Sequence, residues 1–173
     1  NSDAIIIGEI YHQSSAFLRG DEIDGIMNYP LREAVLGFFV ERSIDGMSFA
    51  DKIVSKLMLY PDNINRSMLN LIDSHDTERF LTSCGGRVEQ LKLAEVFQFT
   101  YIGIPYFYYG DEVGLDGGKD PGCRKCMIWE PDRQNTGLLE FYKRLIKIRK
   151  SNKALIYGGY RQISAAGLFV FER

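Results

Sequence analysis

Three apolar runs in this chain break abruptly into acids, and that recurrence limits what the chain can fold into. Ile5-Ile6-Ile7-Gly8 stops on Glu9, and Met68 to Ile72 stops on Asp73-Ser74-His75-Asp76-Thr77-Glu78-Arg79. Pro105 to Tyr109 stops on Gly110-Asp111-Glu112. One such cluster is ordinary for a charged turn that caps the next helix. Three of them put carboxylates at strand ends, and the carboxyl ends of parallel strands are where α/β proteins keep their chemistry.

The segments between these runs complete the pattern. Ala4 to Gly8 is continuous and β-branched, so it reads as a strand buried on both faces, the parallel-sheet type. His12 to Glu22 is a polar connection, and Ile23 to Tyr29 reads as a second strand, with Pro30 placed to open a helix. Leu31 to Arg42 is helical by pattern, with Leu31, Val35, Phe38 and Phe39 on one side. Ser48-Phe49-Ala50-Asp51 has the spacing of a capping box, and Ile53, Leu57 and Tyr60 continue that helix until Pro61. Ser67 to Ile72 is the third strand. Leu91, Ala94, Phe97 and Tyr101 line one face of the next helix, and Ile104 to Tyr109 is the fourth strand. Leu138 to Lys150 is amphipathic, with Leu138, Phe141, Leu145 and Ile148 expected inside. Beyond Lys153, glycine pairs and the run Leu168 to Phe171 predict short antiparallel strands, with a turn at Ala165-Ala166-Gly167. Repeated βα units imply a parallel sheet covered by helices. Four strands suit either a small doubly wound sheet or half of an eight-stranded barrel, and periodicity does not choose.

Composition matters mainly for what it excludes. At 173 residues and 45% hydrophobic, the chain can bury a sizeable core. With 21 Lys plus Arg against 23 Asp plus Glu, the net charge of −2 gives no basic field for nucleic acid. No apolar run approaches the roughly 20 residues that span a bilayer. The chain enters a strand almost at once and stops inside another, so a piece of a longer protein is expected. Cys84, Cys123 and Cys126 are too few for a disulfide scaffold and point to a reducing, cytoplasmic compartment. Cys123-Arg124-Lys125-Cys126 has CxxC spacing, but no second pair completes a four-ligand site and His12 and His75 are the only histidines. No metal and no cofactor is therefore expected.

Glu9 follows a glycine at a strand end, beside Ile10 and Tyr11. Standing alone it is as readily a solvated loop carboxylate; shielded by aromatic neighbours it would have a raised pKa and become a proton donor near neutrality. Paired carboxylates on neighbouring strand ends suit glycosidic bond cleavage. Tyr11, Phe17, Tyr29, Tyr106, Tyr108 and Tyr109 suit stacking on sugar rings, although core packing is the stronger reading for Tyr106 and Tyr108.

Gly8-Glu9-Ile10-Tyr11, Met27-Asn28-Tyr29-Pro30, Ser74-His75-Asp76-Thr77-Glu78-Arg79 and Tyr108-Tyr109-Gly110-Asp111-Glu112 together resemble the α-amylase family of glycoside hydrolases. The nearer likeness is to its neopullulanase, cyclomaltodextrinase and maltogenic amylase branch, whose loop after the last barrel strand is similar to Gly117 to Trp129. The resemblance covers essentially the whole chain, in order. It implies the C-terminal half of a (β/α)8 TIM barrel, strands five to eight with their helices, over residues 1–153. Residues 154–173 would begin an antiparallel β-sandwich domain. It implies that Glu9 is the general acid/base. Asp76 would grip sugar hydroxyls and stabilise the transition state, with His75 as its hydrogen-bonding neighbour. Tyr11 stands where the family usually places Trp against the sugar beyond the cleavage point, and Asp120 and Arg124 match sugar contacts on the other side. The implied partner is an α-glucan oligosaccharide, and a homo-oligomer is expected.

One departure is decisive for activity. The family's nucleophile is an aspartate on the fourth strand in a Gly-Phe-Arg-x-Asp type of motif, and no such motif occurs in the chain. No catalysis is expected of the chain alone. A non-catalytic glucan-binding module and a transglycosylase of the same family stay open at this point.

Overall fold

The computed structural model describes residues 4–12, 15–165 and 168–173. Four short parallel strands run in chain order. β1 (Ile7–Gly8) pairs with β2 (Gly25–Ile26), with Ile7 opposite Gly25. Met27 bridges in parallel to Leu69, and β3 (Leu69–Leu71) pairs with β4 (Ile104–Tyr106). Each strand therefore neighbours the next in sequence, with no reversal of order. Gly25 is needed for this approach: a Cβ there would lie 2.3 Å from the Ser67 carbonyl oxygen.

Helices fill the connections. α1 (Tyr29–Val35) runs on into a wider π turn at Leu36–Val40. Its cap is Asn28, whose side chain accepts from the Leu31 N–H, and Pro30 sits in its first turn as expected. Asn28 also donates through Nδ2 to Asn70 Oδ1 at 2.9 Å, while its backbone N–H bonds to Leu69, so one residue starts the helix and ties β2 to β3. α2 (Gly46–Met58) starts a turn earlier than the capping-box reading placed it. The cap is Asp45, and Ser48 supplies the N–H that its carboxylate accepts at 2.8 Å. An aspartate at the cap competes well with a serine one turn later, because it adds a charge to the hydrogen bond.

α3 (Asp62–Ser67), α4 (Phe80–Ser83) and α7 (Lys153–Tyr157) are short helices with no expectation behind them. They are too brief to show a period in sequence. α5 (Val88–Thr100) and α6 (Thr136–Ser151) are the long ones. α6 rotates slightly from the expected face: Leu138, Tyr142 and Leu145 are buried, whereas Ile148 is exposed. The Tyr142 hydroxyl donates to Glu95 on α5 at 2.6 Å, which turns the tyrosine inward. β5 (Arg161–Ala165) and β6 (Leu168–Glu172) form the expected antiparallel pair; the expected turn residues Ala166 and Gly167 lie outside the described residues.

The main core joins α1, α2, α5 and α6 around Leu31, Val35, Phe49, Ile53, Phe97 and Leu138. Each of these is almost fully buried, and each such burial stabilises by about 1.5–3 kcal/mol. Phe169 and Phe171 of β6 pack edge-on against Phe97, so the hairpin shares this core. A smaller cluster of Met27, Tyr29 and Leu71 lies under the strand ends and supports the site.

One strand departs from its expected burial. Ile5 and Ile6 are exposed, at 69% and 53%, and only Ile7–Gly8 joins the ladder. Among the described residues β1 has a strand neighbour on one side only, so nothing covers its far face. No helix among the described residues is long and apolar enough to cross a membrane.

Candidate active site

The loop after β3 is built by its own small polar groups. The Ser74 N–H donates to Thr77 Oγ1 at 2.8 Å, and the Asp76 N–H donates to Ser74 Oγ at 3.2 Å. Tyr29, at the start of α1, shares a hydrogen bond with the same Ser74 hydroxyl at 3.1 Å. The buried Asp73 carboxylate accepts the Phe80 N–H at 2.7 Å and thereby starts α4. These contacts close a tight turn that leaves His75 and Asp76 facing outward.

Glu9 arrives from the end of β1. Its Oε1 lies 3.3 Å from His75 Nε2, and the same nitrogen lies 3.4 Å from Asp76 Oδ2. Two carboxylates thus meet across one imidazole. The aromatic shielding expected around Glu9 is not there: its side chain is 45% exposed. The reason lies in Tyr11, which turns away from Glu9 to stack on Tyr29, with ring centroids 4.1 Å apart.

Asp76 is held from every side. Tyr11 donates its hydroxyl to Oδ2 at 2.6 Å, and Arg124 donates Nη2 to Oδ1 at 2.9 Å. Arg124 also bonds the His75 carbonyl through Nε and lies 2.8 Å from Asp120 Oδ1. The Tyr11 hydroxyl first, and then the charges of His75 and Arg124, hold the Asp76 carboxyl below its ordinary range despite some desolvation. The same hydrogen bond pushes the Tyr11 hydroxyl far above its ordinary value, so it stays a donor.

The six residues singled out in the sequence therefore form one contiguous group: Glu9, Tyr11, His75, Asp76, Asp120 and Arg124. The acids that follow β4 do not join it. Asp111 is buried, and Glu112 turns back to accept the Gly110 N–H at 2.8 Å. Among the described residues the group that could offer three ligand atoms to a metal ion is Glu9, His75 and Asp76. Arg124 already supplies a cation to that group. Cys123 is buried, with its thiol donating to the His75 carbonyl at 3.1 Å, and Cys126 is exposed. Neither belongs to the ligand group.

Sequence reasoning passed over Asp73 and assigned no role to Asp111 or to the fully buried Arg79, which link the loops beneath this group. The one signal for them was position, each lying at or just beyond the end of an apolar run.

Acids and an imidazole gathered at the carboxyl ends of parallel strands are the kind of site that β/α enzymes carry. The family model described as Alpha amylase, catalytic domain, matches residues 1–137. The chain belongs to the α-amylase family of glycoside hydrolases. It is 54% identical over 172 residues to a cyclomaltodextrinase of Thermoanaerobacter pseudethanolicus, covering 99% of this chain and 30% of that protein. It is 48% identical over 176 residues to neopullulanase 2 of Thermoactinomyces vulgaris, covering all of this chain and again 30% of the relative. A solved cyclomaltodextrinase superposes with a TM-score of 0.93 and 47% identity, over 96% of this chain and 29% of its own. The chain thus spans about 30% of the length of the curated relatives it matches.

Proposed function

We propose that this chain is the C-terminal half of the catalytic barrel of a retaining α-glucan hydrolase acting on maltooligosaccharides, cyclomaltodextrins or pullulan. Residues 1–153 supply strands five to eight with their helices, and residues 154–173 begin the following β domain. The unreversed neighbour order of β1 to β4 supports half a barrel over a doubly wound sheet, in which the strand order reverses. The work is done in a reducing cytoplasm, where the three cysteines stay thiols.

One observation carries the reading: Glu9 and Asp76 converge on His75 Nε2 at 3.3 and 3.4 Å. Glu9, exposed and on the outer side, is placed to protonate a leaving glycosidic oxygen and then to activate water for the second step. Asp76, held ionised, grips sugar hydroxyls and meets the oxocarbenium charge, with His75 donating beside it. Tyr11 offers its ring to the sugar beyond the cleavage point, and Asp120 with Arg124 contacts the sugar on the other side. A retaining site needs a second carboxylate about 5–5.5 Å from the acid/base as nucleophile. The motif that carries it in this family is not in these 173 residues, so the chain by itself does not turn over.

The test is Glu9→Gln in the full-length enzyme, assayed on β-cyclomaltodextrin with maltose-series products resolved. General acid help is worth about 10²–10⁴-fold, so turnover should fall by at least that. A loss under tenfold would remove Glu9 from the role.

A further inference from the structure

Beneath the exposed group lies a buried one that the chemistry above does not use. Arg79 is completely buried, although it follows directly on the His75–Asp76 turn. Its Nε donates to the Cys123 carbonyl at 2.9 Å. Its Nη1 donates to the Tyr109 carbonyl at 2.5 Å and to Asp111 Oδ1 at 2.9 Å. The guanidinium lies over the rings of Tyr108 and Tyr109, at 4.0 and 4.8 Å from their centroids. Its backbone N–H bonds to Gly117 at 2.9 Å. Arg79 therefore fastens three stretches together: the turn after β3, the turn after β4, and the loop that carries Arg124.

The charge balance is unusual. Asp73 and Asp111 are 1% and 5% exposed; Asp111 pairs with the Arg79 guanidinium, while Asp73 feels the charges of both Arg79 and Arg32. Three of their four oxygens have N–H donors: Phe80 N to Asp73 Oδ2, Arg79 Nη1 to Asp111 Oδ1, and Tyr108 N to Asp111 Oδ2. Asp73 Oδ1 has none. Burial pushes both carboxyls upward, and for Asp111 the Asp73 charge adds to it.

We propose that Arg79 is a positioning residue: paired with Asp111 and bonded to the Cys123 carbonyl, it draws the loop bearing Arg124 onto Asp76. The link is short. Arg79 holds the Cys123 carbonyl, and the next residue, Arg124, pairs with Asp76 and with the His75 carbonyl. The guanidinium fork is required because three acceptors in different directions must be met at once. The inference rests on the reading of Asp76 given above.

The test is a double-mutant cycle in the full-length enzyme on β-cyclomaltodextrin. Arg79→Lys keeps the charge but cannot span the Cys123 carbonyl, the Tyr109 carbonyl and Asp111 together. It should lower kcat by about 10²-fold, the order expected of a misplacement near 1 Å. It should also move the acid limb of the pH–rate profile upward, as Arg124→Met does by removing a cation from Asp76. In the Arg124→Met background the same Arg79→Lys change should add almost nothing. Equal losses in both backgrounds would overturn the proposal, as would an Arg79→Lys enzyme with unchanged kcat and acid limb. Should Arg79→Lys fail to fold, Asp111→Asn, which leaves Arg79 in place without its ion pair, goes through the same cycle with the same expectations. Asp76→Asn separates the two readings. Turnover surviving that change removes the role of Asp76 itself; turnover abolished with an additive cycle removes only that of Arg79.

Discussion

Glu95 is completely buried on α5, and its position makes a sharp claim about pH. One oxygen accepts the Tyr142 hydroxyl at 2.6 Å, and the other has no partner among the described residues. Desolvation, with a smaller push from the Asp73 charge, raises its carboxyl from the ordinary 4.5 to about 8, despite the Tyr142 hydrogen bond. The native protein therefore keeps a proton that the unfolded chain gives up above 4.5. Native binds more protons than unfolded between these two values, so this group's contribution falls as pH rises from 4.5 to about 8 and is level beyond it. At about 1.4 kcal/mol per pH unit, the ceiling is on the order of 5 kcal/mol. Glu95→Gln keeps the shape and the acceptor for Tyr142 and has no proton to lose. Its stability relative to the parent should thus be near zero at about pH 4.5 and grow steadily to a plateau near pH 8. Urea unfolding of both chains across that range reads the difference directly, and buried carboxyls common to both, such as Asp73 and Asp111, cancel. In thermal melts each kcal/mol is worth about 2–4 °C for a chain of this size. A difference that stays constant from pH 5 to pH 8, or that shrinks, would refute the reasoning.

Two other expectations follow from the same geometry. Tyr11→Phe keeps the stack on Tyr29 but removes the hydroxyl that does most to hold Asp76 low, so the acid limb of kcat/KM in the full-length enzyme should move to higher pH; an unmoved limb would show that this hydrogen bond is not made in solution. The chain studied alone should self-associate, because Ile5, Ile6 and Ile104 are exposed along strands with a neighbour on one side only, and a monomer in multi-angle light scattering would contradict that.

The four-strand skeleton was legible because burial of parallel strands writes itself as apolar runs, but the strands are shorter than the runs: β2 is only Gly25–Ile26, with Tyr29 already in α1, and β4 stops at Tyr106. Legibility failed where a local polar contact outranked the pattern. Ser48 has the better box spacing, yet Asp45 caps α2, because a charged acceptor on the Ser48 N–H wins. Ile148 continues the apolar stripe of α6, yet Tyr142 sets the face, because its hydroxyl has Glu95 to bond. Ile5 and Ile6 were misjudged for another reason: a buried strand and an uncovered edge have the same sequence, and only the presence of a neighbour distinguishes them.

The site divided in the same way. Glu9, His75 and Asp76 could be singled out because exposed acids after apolar runs are conspicuous, and the resemblance supplied what spacing could not, namely that positions 9 and 76 meet. What stayed hidden was the layer below. Asp73 looks like any acid at a strand end, and Arg79 like any cation on a turn, until both are found buried with Asp111. Buried acids and bases carry information only together, and Arg79 pairs with an acid 32 positions away, so the pairing has no sequence signature. That layer nevertheless decides how rigid the exposed one can be. Arg124 pairs with Asp76, the Cys123 carbonyl beside it accepts from Arg79, and by the inference above that hold keeps the cation on Asp76. On the proposed reading the exposed residues carry the chemistry, and the buried layer beneath them fixes where they stand.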